Sequence, residues 1–240
     1  MNKHLLLLAS TFFIFSCKYV QVNKDTNAVD SIAHYKPYRG HIFANAFINK
    51  VGHRNPDIQD YYFRHYGKNY FIKLQNCKFE GNIASFNNAY VYARGEIRSG
   101  LWDTDNPNEQ SRVGEYFVFS ELNRVERPLS ISFQDGNNNR YIAKSSNLKY
   151  EPVPVIESSS GYYSGGKEKE TALNLEDFMN IYFMLEELIE NGQKPITERV
   201  KGSCQVKVLH IDKEKDVTYI FSDTPEVQAV KAFMDGLLER

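Results

Sequence analysis

"NAYVYARGEIRSGLW", residues 88–102, is the clearest extended run in the chain. Tyr90, Tyr92 and Arg94 alternate with Val91, Ala93 and Gly95, the period of two that sends successive side chains to opposite faces of a strand. Gly95 inside the run predicts a bulge or a sharp bend, because a residue without a side chain loosens a strand and lets another backbone come close. A strand bent in this way belongs to a small barrel or a rolled sheet.

The flanking segments extend the pattern. "NYFIKLQNC" (69–77) places Tyr70, Ile72 and Leu74 on one face, and "VGEYFVFSEL" (113–122) reads as a further strand. "PLSISFQDGNNNRYIAKSS" (128–146) predicts a hairpin, two alternating runs about the turn-forming "DGNNN". "LKYEPVPVI" (148–156) is extended, but Pro152 and Pro154 confine it to an edge or a linker. Upstream, "HIFANAFINK" (41–50) and "YYFRHYGKNY" (61–70) are dense in rings of mixed period, and a short helix with an irregular stretch is expected there. Aromatic residues make up 14% of the chain, sixteen Tyr and sixteen Phe, which favours sheet over helix. In strand count and in the Gly95 bend, residues 69–145 resemble an OB-type barrel.

Beyond "ESSSGYYSGGKEKE" (157–170), a Ser/Gly-rich run expected to link two domains, the texture changes. Leu175, Phe178, Met179, Tyr182, Leu185 and Ile189 recur at helical spacing, with Asn174 as N-cap and Gly192 and Pro195 as the stop. "RVKGSCQVKVLHID" and "VTYIFSD" predict an antiparallel pair. A last helix follows, with Thr224 as cap and Pro225 in its first turn. The fold class expected is thus strand-rich α+β: a small OB-like barrel or rolled antiparallel sheet over 40–156, then a small helix-strand-strand-helix domain over 171–240.

The amino terminus concerns location. Lys3 and His4 precede an apolar stretch from Leu5 to Phe15, too short to span a bilayer, which needs about 20 residues. It reads as a secretory signal over 1–16. Ile14, Phe15 and Ser16 before Cys17 resemble the lipobox of bacterial lipoproteins. That resemblance implies lipidation at Cys17, acyl chains holding the protein to a membrane, and, with Lys18 following the anchor, a place at the outer membrane of the cell envelope. Residues 17–39 then serve as a polar tether. Removal of the signal takes only Lys3 from 29 basic residues, leaving 28 against 30 acidic. So balanced a surface speaks against nucleic acid as partner.

Several clusters could carry chemistry. "WDTDNPNEQSR" (102–112) holds Asp103, Asp105 and Glu109, oxygen donors of the type a hard cation takes, yet Pro107, Asn108 and Gly114 stand where an EF-hand needs other residues. A polar loop pinned by Trp102 is the simpler reading, and no metal or cofactor is expected. His41, His53 and His65 recur every twelve residues, a spacing that neither helix nor strand brings together. "GYYSGG" lacks the G-x-S-x-G spacing of a nucleophile elbow. Cys77 and Cys204 could pair as a disulfide in an oxidising compartment or remain free thiols. Tyr90, Tyr92, Trp102, Tyr162 and Tyr163 are the candidate contact residues, because tyrosine and tryptophan give large contact area with a polar handle. Two functions follow: a non-enzymatic binding or structural lipoprotein with a protein or glycan partner, or an envelope hydrolase drawing its acid and base from Asp103, Asp105 and Glu109, with Glu96 and Glu115 as further carboxylates.

Overall fold

The computed structural model describes residues 35–48, 54–102, 112–158, 161–190, 196, 198–212 and 217–240. Five strands, β1 (Lys36–Ile48), β2 (Arg54–His65), β3 (Lys68–Ile72), β4 (Ala89–Trp102) and β5 (Arg112–Arg124), close into a barrel in the order β1-β2-β3-β5-β4. Neighbours run antiparallel except β3 and β5, which pair in parallel through Phe71↔Tyr116 and Ile72↔Phe117. The connectivity is OB-like. It spans residues 36–124, whereas the sequence suggested 69–145.

The barrel is filled by rings and closed by glycines. Ile42, Phe63, Ile72, Val91, Phe117 and Phe119 are buried inside it, with Phe63 and Phe117 stacked at 4.3 Å between centroids. Gly40 sits where a Cβ would lie 2.2 Å from Arg64 O, and Gly95 where one would lie 2.4 Å from Val118 O. Any larger residue at either position would push adjacent strands apart. The β4–β5 register shifts at Arg94/Gly95, the bulge expected from Gly95.

The helix expected near residue 41 is instead part of β1, paired with β2 through Ile42↔Phe63 and Phe43↔Tyr62. The mixed ring pattern has a simple cause. Tyr38, Gly40 and Ile42 face inward while Arg39, His41 and Phe43 face outward, so both faces carry rings and no apolar/polar alternation results. Folded structure also starts earlier than Gly40, since Tyr35 is buried and β1 begins at Lys36.

The second sheet is antiparallel, in the order β11-β10-β6-β7-β8-β9, from β6 (Ser130–Gln134), β7 (Arg140–Lys144), β8 (Asn147–Glu151), β9 (Lys169–Ala172), β10 (Cys204–Leu209) and β11 (Val217–Phe221). Helices α1 (Leu175–Glu190) and α2 (Pro225–Leu238) pack on it. Phe178, Met179, Ile181 and Leu185 of α1 and Val227, Val230 and Met234 of α2 meet Ile131, Phe133 and Tyr141 in one core. The caps match the sequence. Asn174 Oδ1 accepts the Asp177 N–H at 2.7 Å, and Thr224 Oγ1 accepts the Val227 N–H at 3.4 Å.

The hairpin 128–146 therefore belongs to the second sheet and not to the barrel. The change of sheet falls at residues 125–129, and the Ser/Gly-rich run 157–170 joins neighbouring strands of one sheet instead of separating domains. A buried polar knot holds that run. Asp135 Oδ1 accepts the Asn137 and Asn139 N–H groups, and the Asn139 side chain donates to Asp135 Oδ2 and Tyr163 Oη and accepts the Val153 N–H. Residues 34–240 form one compact unit.

Cys77 and Cys204 are free thiols, so the disulfide the sequence allowed is not formed. Cys77 packs against Phe71 and Tyr116 on the barrel, whereas Cys204 is buried in the core of the second sheet. Burial pushes both thiols up to about 11, which keeps them protonated and unreactive at neutral pH.

Candidate partner-binding face

Side chains alternating with the barrel's interior form a row of rings across its outer surface. From β4 to β3 the row runs Tyr90, His41, Phe43, Tyr62, Phe71, with neighbouring centroids 4.7, 5.9, 5.6 and 5.9 Å apart. The first three contacts are stacked and the last is edge-on. Phe71 is buried as a floor; His41, Phe43 and Tyr62 are half-buried.

Arg64 fixes the row in place. Its guanidinium lies 5.0 Å from the Phe43 centroid, donates through Nε to Asn69 Oδ1 at 2.7 Å, and pairs through Nη1 with Glu176 Oε2 at 2.8 Å. Burial, and then the charge of Arg64, hold the His41 imidazole below its usual range. At neutral pH it is an uncharged ring among rings.

The Tyr90 end of the row passes under α1, which corrects the role given to two residues. Tyr90 and Tyr92 do not stand free for a partner: their rings lie 6.1 and 6.3 Å from Phe183, and the Tyr92 hydroxyl donates to Glu186 Oε2 at 3.3 Å. Burial raises both phenols to about 12. Beside them Arg39, only 3% exposed, lies 5.3 Å from the Tyr92 centroid, with Nη2 2.5 Å from Glu190 Oε1 and Nη1 3.9 Å from Glu187 Oε1. The Glu190 contact lies off the N–H direction, so it is an ion pair without an aligned hydrogen bond.

The other candidates scatter. Tyr163, 38% exposed, accepts a hydrogen bond from Asn139 and pins its loop, whereas Tyr162 is 92% exposed. Trp102 ends β4, but its side chain, like Asp103, Asp105, Glu109, His53 and Cys17, lies outside the described residues. Glu96 and Glu115 do not converge. The register sets Glu96 opposite Val118 and Glu115 opposite Ser99, an odd offset that puts them on opposite faces, and each has a cation: Arg98 at 2.9 Å for Glu96, and Lys68 for Glu115. His41 and His65 likewise face opposite sides of the barrel wall, His65 stacking on Phe63 with Nδ1 2.7 Å from Arg39 O. Among the described residues no group of three or more His, Cys, Asp or Glu is placed to hold a metal ion.

Comparison with protein families, with curated proteins and with solved structures finds no match for this chain.

His41, Phe43, Tyr62 and Arg64 were missed as site residues. Once 36–48 and 54–65 are strands, positions 41 and 43 share a face, as do 62 and 64. That alternation was the available signal.

Proposed function

We propose that this chain is a lipid-anchored binding protein of the bacterial envelope, held by Cys17, and that its barrel receives a saccharide along Phe43 and Tyr62. The observation that carries the binding half is the row of stacked rings crossing β1, β2 and β3 with a guanidinium laid over Phe43. Flat apolar ring faces bordered by Arg64, Asn69 and Glu176 suit a pyranose, which presents C–H faces to rings and hydroxyls to polar neighbours. The near-balanced charge supports a neutral ligand over a polyanion. The anchoring half rests on the apolar segment ending at Cys17. The hydrolase alternative rests on Asp103, Asp105 and Glu109 alone, since Glu96 and Glu115 face apart.

Two measurements test the halves separately. Labelled palmitate is incorporated by the wild type and not by Cys17→Ala; equal labelling removes the anchor. Full-length protein on an array of envelope glycans binds a saccharide, and Phe43→Ala or Tyr62→Ala weakens binding about tenfold, roughly 1.4 kcal/mol, with an unchanged circular dichroism spectrum. Binding unchanged in both variants, or no glycan bound, turns the reading toward a protein partner.

A further inference from the structure

An apolar cavity lies away from the aromatic row. A groove of about 590 Å³ opens between α1 and α2, floored by Met184 and Leu188 of one helix and Val230 and Phe233 of the other. The volume is that of a small-molecule site, and the wall is almost entirely apolar, with a few polar groups to fix orientation. Helix α1 lines the groove over little more than one turn, Met184 to Leu188, and α2 over about two, Glu226 to Phe233. A partner helix needs anchors along two turns or more of both walls, which the short α1 wall does not give, so the groove suits a small molecule.

The polar groups are all of one kind. Glu187 and Glu226 stand at the rim, none of the lining side chains is basic, and Tyr66 reaches in from the turn between β2 and β3. Tyr66 has φ +44° beside Gly67 at φ +77°, a left-handed two-residue turn in which asparagine or glycine is the usual first residue. A tyrosine there bears strain of about 1–2 kcal/mol, and such outliers gather at ligand sites. Its hydroxyl donates to Glu187, whose other neighbour is the Arg39 guanidinium, so this carboxylate is held in one orientation. Glu226 accepts from its own N–H and from the Thr224 hydroxyl, which hold its carboxyl below the usual range. Both the anchoring of the two acids and the size of the groove point to one ligand.

We propose that the α1–α2 groove binds a small cationic amphiphile, its hydrocarbon body between Met184, Leu188 and Phe233 and its ammonium head between Glu187 and Glu226. Tyr66 is the residue that closes the head end. This site is independent of the aromatic row.

Octylammonium, octanoate and octanol are the probes, titrated calorimetrically into full-length protein in phosphatidylcholine vesicles with protein-free vesicles as blank. Octylammonium binds saturably at one per chain, and octanoate binds at least tenfold more weakly. Ala229→Trp, which fills the groove, abolishes octylammonium binding. Glu226→Gln weakens octylammonium about fivefold and leaves octanol unchanged. Should Ala229→Trp misfold, Ala229→Leu gives the same reading with a smaller side chain. The proposal is overturned by octanoate binding as tightly as octylammonium, by saturable binding that survives in a folded Ala229 variant, or by the absence of saturable octylammonium binding.

Discussion

The two cores of this protein solve the same packing problem by different means. The barrel is filled by stacked rings and closed where Gly40 and Gly95 let backbone meet backbone, so its geometry has little room to adjust. The second core packs two capped helices on an open sheet; it also buries rings, Phe133, Tyr141 and Phe178 among them, but interleaves them with Met179, Leu185, Val230 and Met234 from the helices. Aliphatic and thioether side chains on helices can shift into a gap more readily than rings locked in a closed barrel. Helix α1 belongs to both. Phe178, Met179 and Leu185 enter the second core, while Glu176 pairs with Arg64 and Glu187 and Glu190 with Arg39 on the barrel wall. The two parts therefore share one helix.

The largest test of that contrast is a matched pair of truncations. Phe117→Ala removes a fully buried ring stacked on Phe63 and Phe119 and should cost about 3–5 kcal/mol, while Leu185→Ala should fall near the low end of about 2–5 kcal/mol. Urea unfolding followed by fluorescence checks both, and an equal or reversed ranking breaks the contrast. Gly95→Ala should cost about 1–3 kcal/mol, because its Cβ would press on the Val118 carbonyl and the Phe117 ring; a neutral result would mean that the barrel opens easily. On the helical side, Asn174→Ala should cost about 1 kcal/mol by leaving the Asp177 N–H without its cap, readable as a lower melting temperature.

The smallest effect concerns pH. Burial and Arg64 hold the His41 pKa in the folded chain below its unfolded value of about 6.5. The fold thus favours the neutral ring, and the stability this contributes is present above pH ~6.5 and lost as pH falls through the folded pKa. The melting temperature should decline on acidification below that point, and His41→Gln should flatten the decline. A variant with the same acid slope as the wild type would remove His41 from the account.

Local signals were legible in the sequence and shared surfaces were not. Asn174, Thr224 and Pro225 mark helix starts through their own chemistry, and Gly95 marks a bulge through its missing side chain; each expectation needed only a few neighbouring residues. Strands β1 and β2 escaped because His41 and Phe43 put rings on the outer face and Arg39 is buried there, so both faces look alike and the alternation of a half-exposed strand is lost. Strand β9, "KETA", carries no apolar pattern at all and is held by its pairing with β8. The site was half-read for the same reason. Tyr90 and Tyr92 were picked for their alternation along β4, but their covering by Phe183 depends on a helix more than 80 residues away in the chain. The half-buried rings of the outer row, His41, Phe43 and Tyr62, lie on the two strands that were not recognised.

Closure of the barrel also has a consequence for molecules crowded side by side. A strand with its hydrogen-bonding groups bare on one side invites a second chain to zip onto it, and a ring of strands offers no such seam. The open sheet has two ends to guard. At one, β9 is only four residues long and begins with the charged pair Lys169 and Glu170; at the other, the Ile196 N–H already occupies the Ile220 carbonyl of β11. Dense packing of copies would therefore bring surfaces together without offering, among the described residues, a long unpaired strand on which aggregation could propagate.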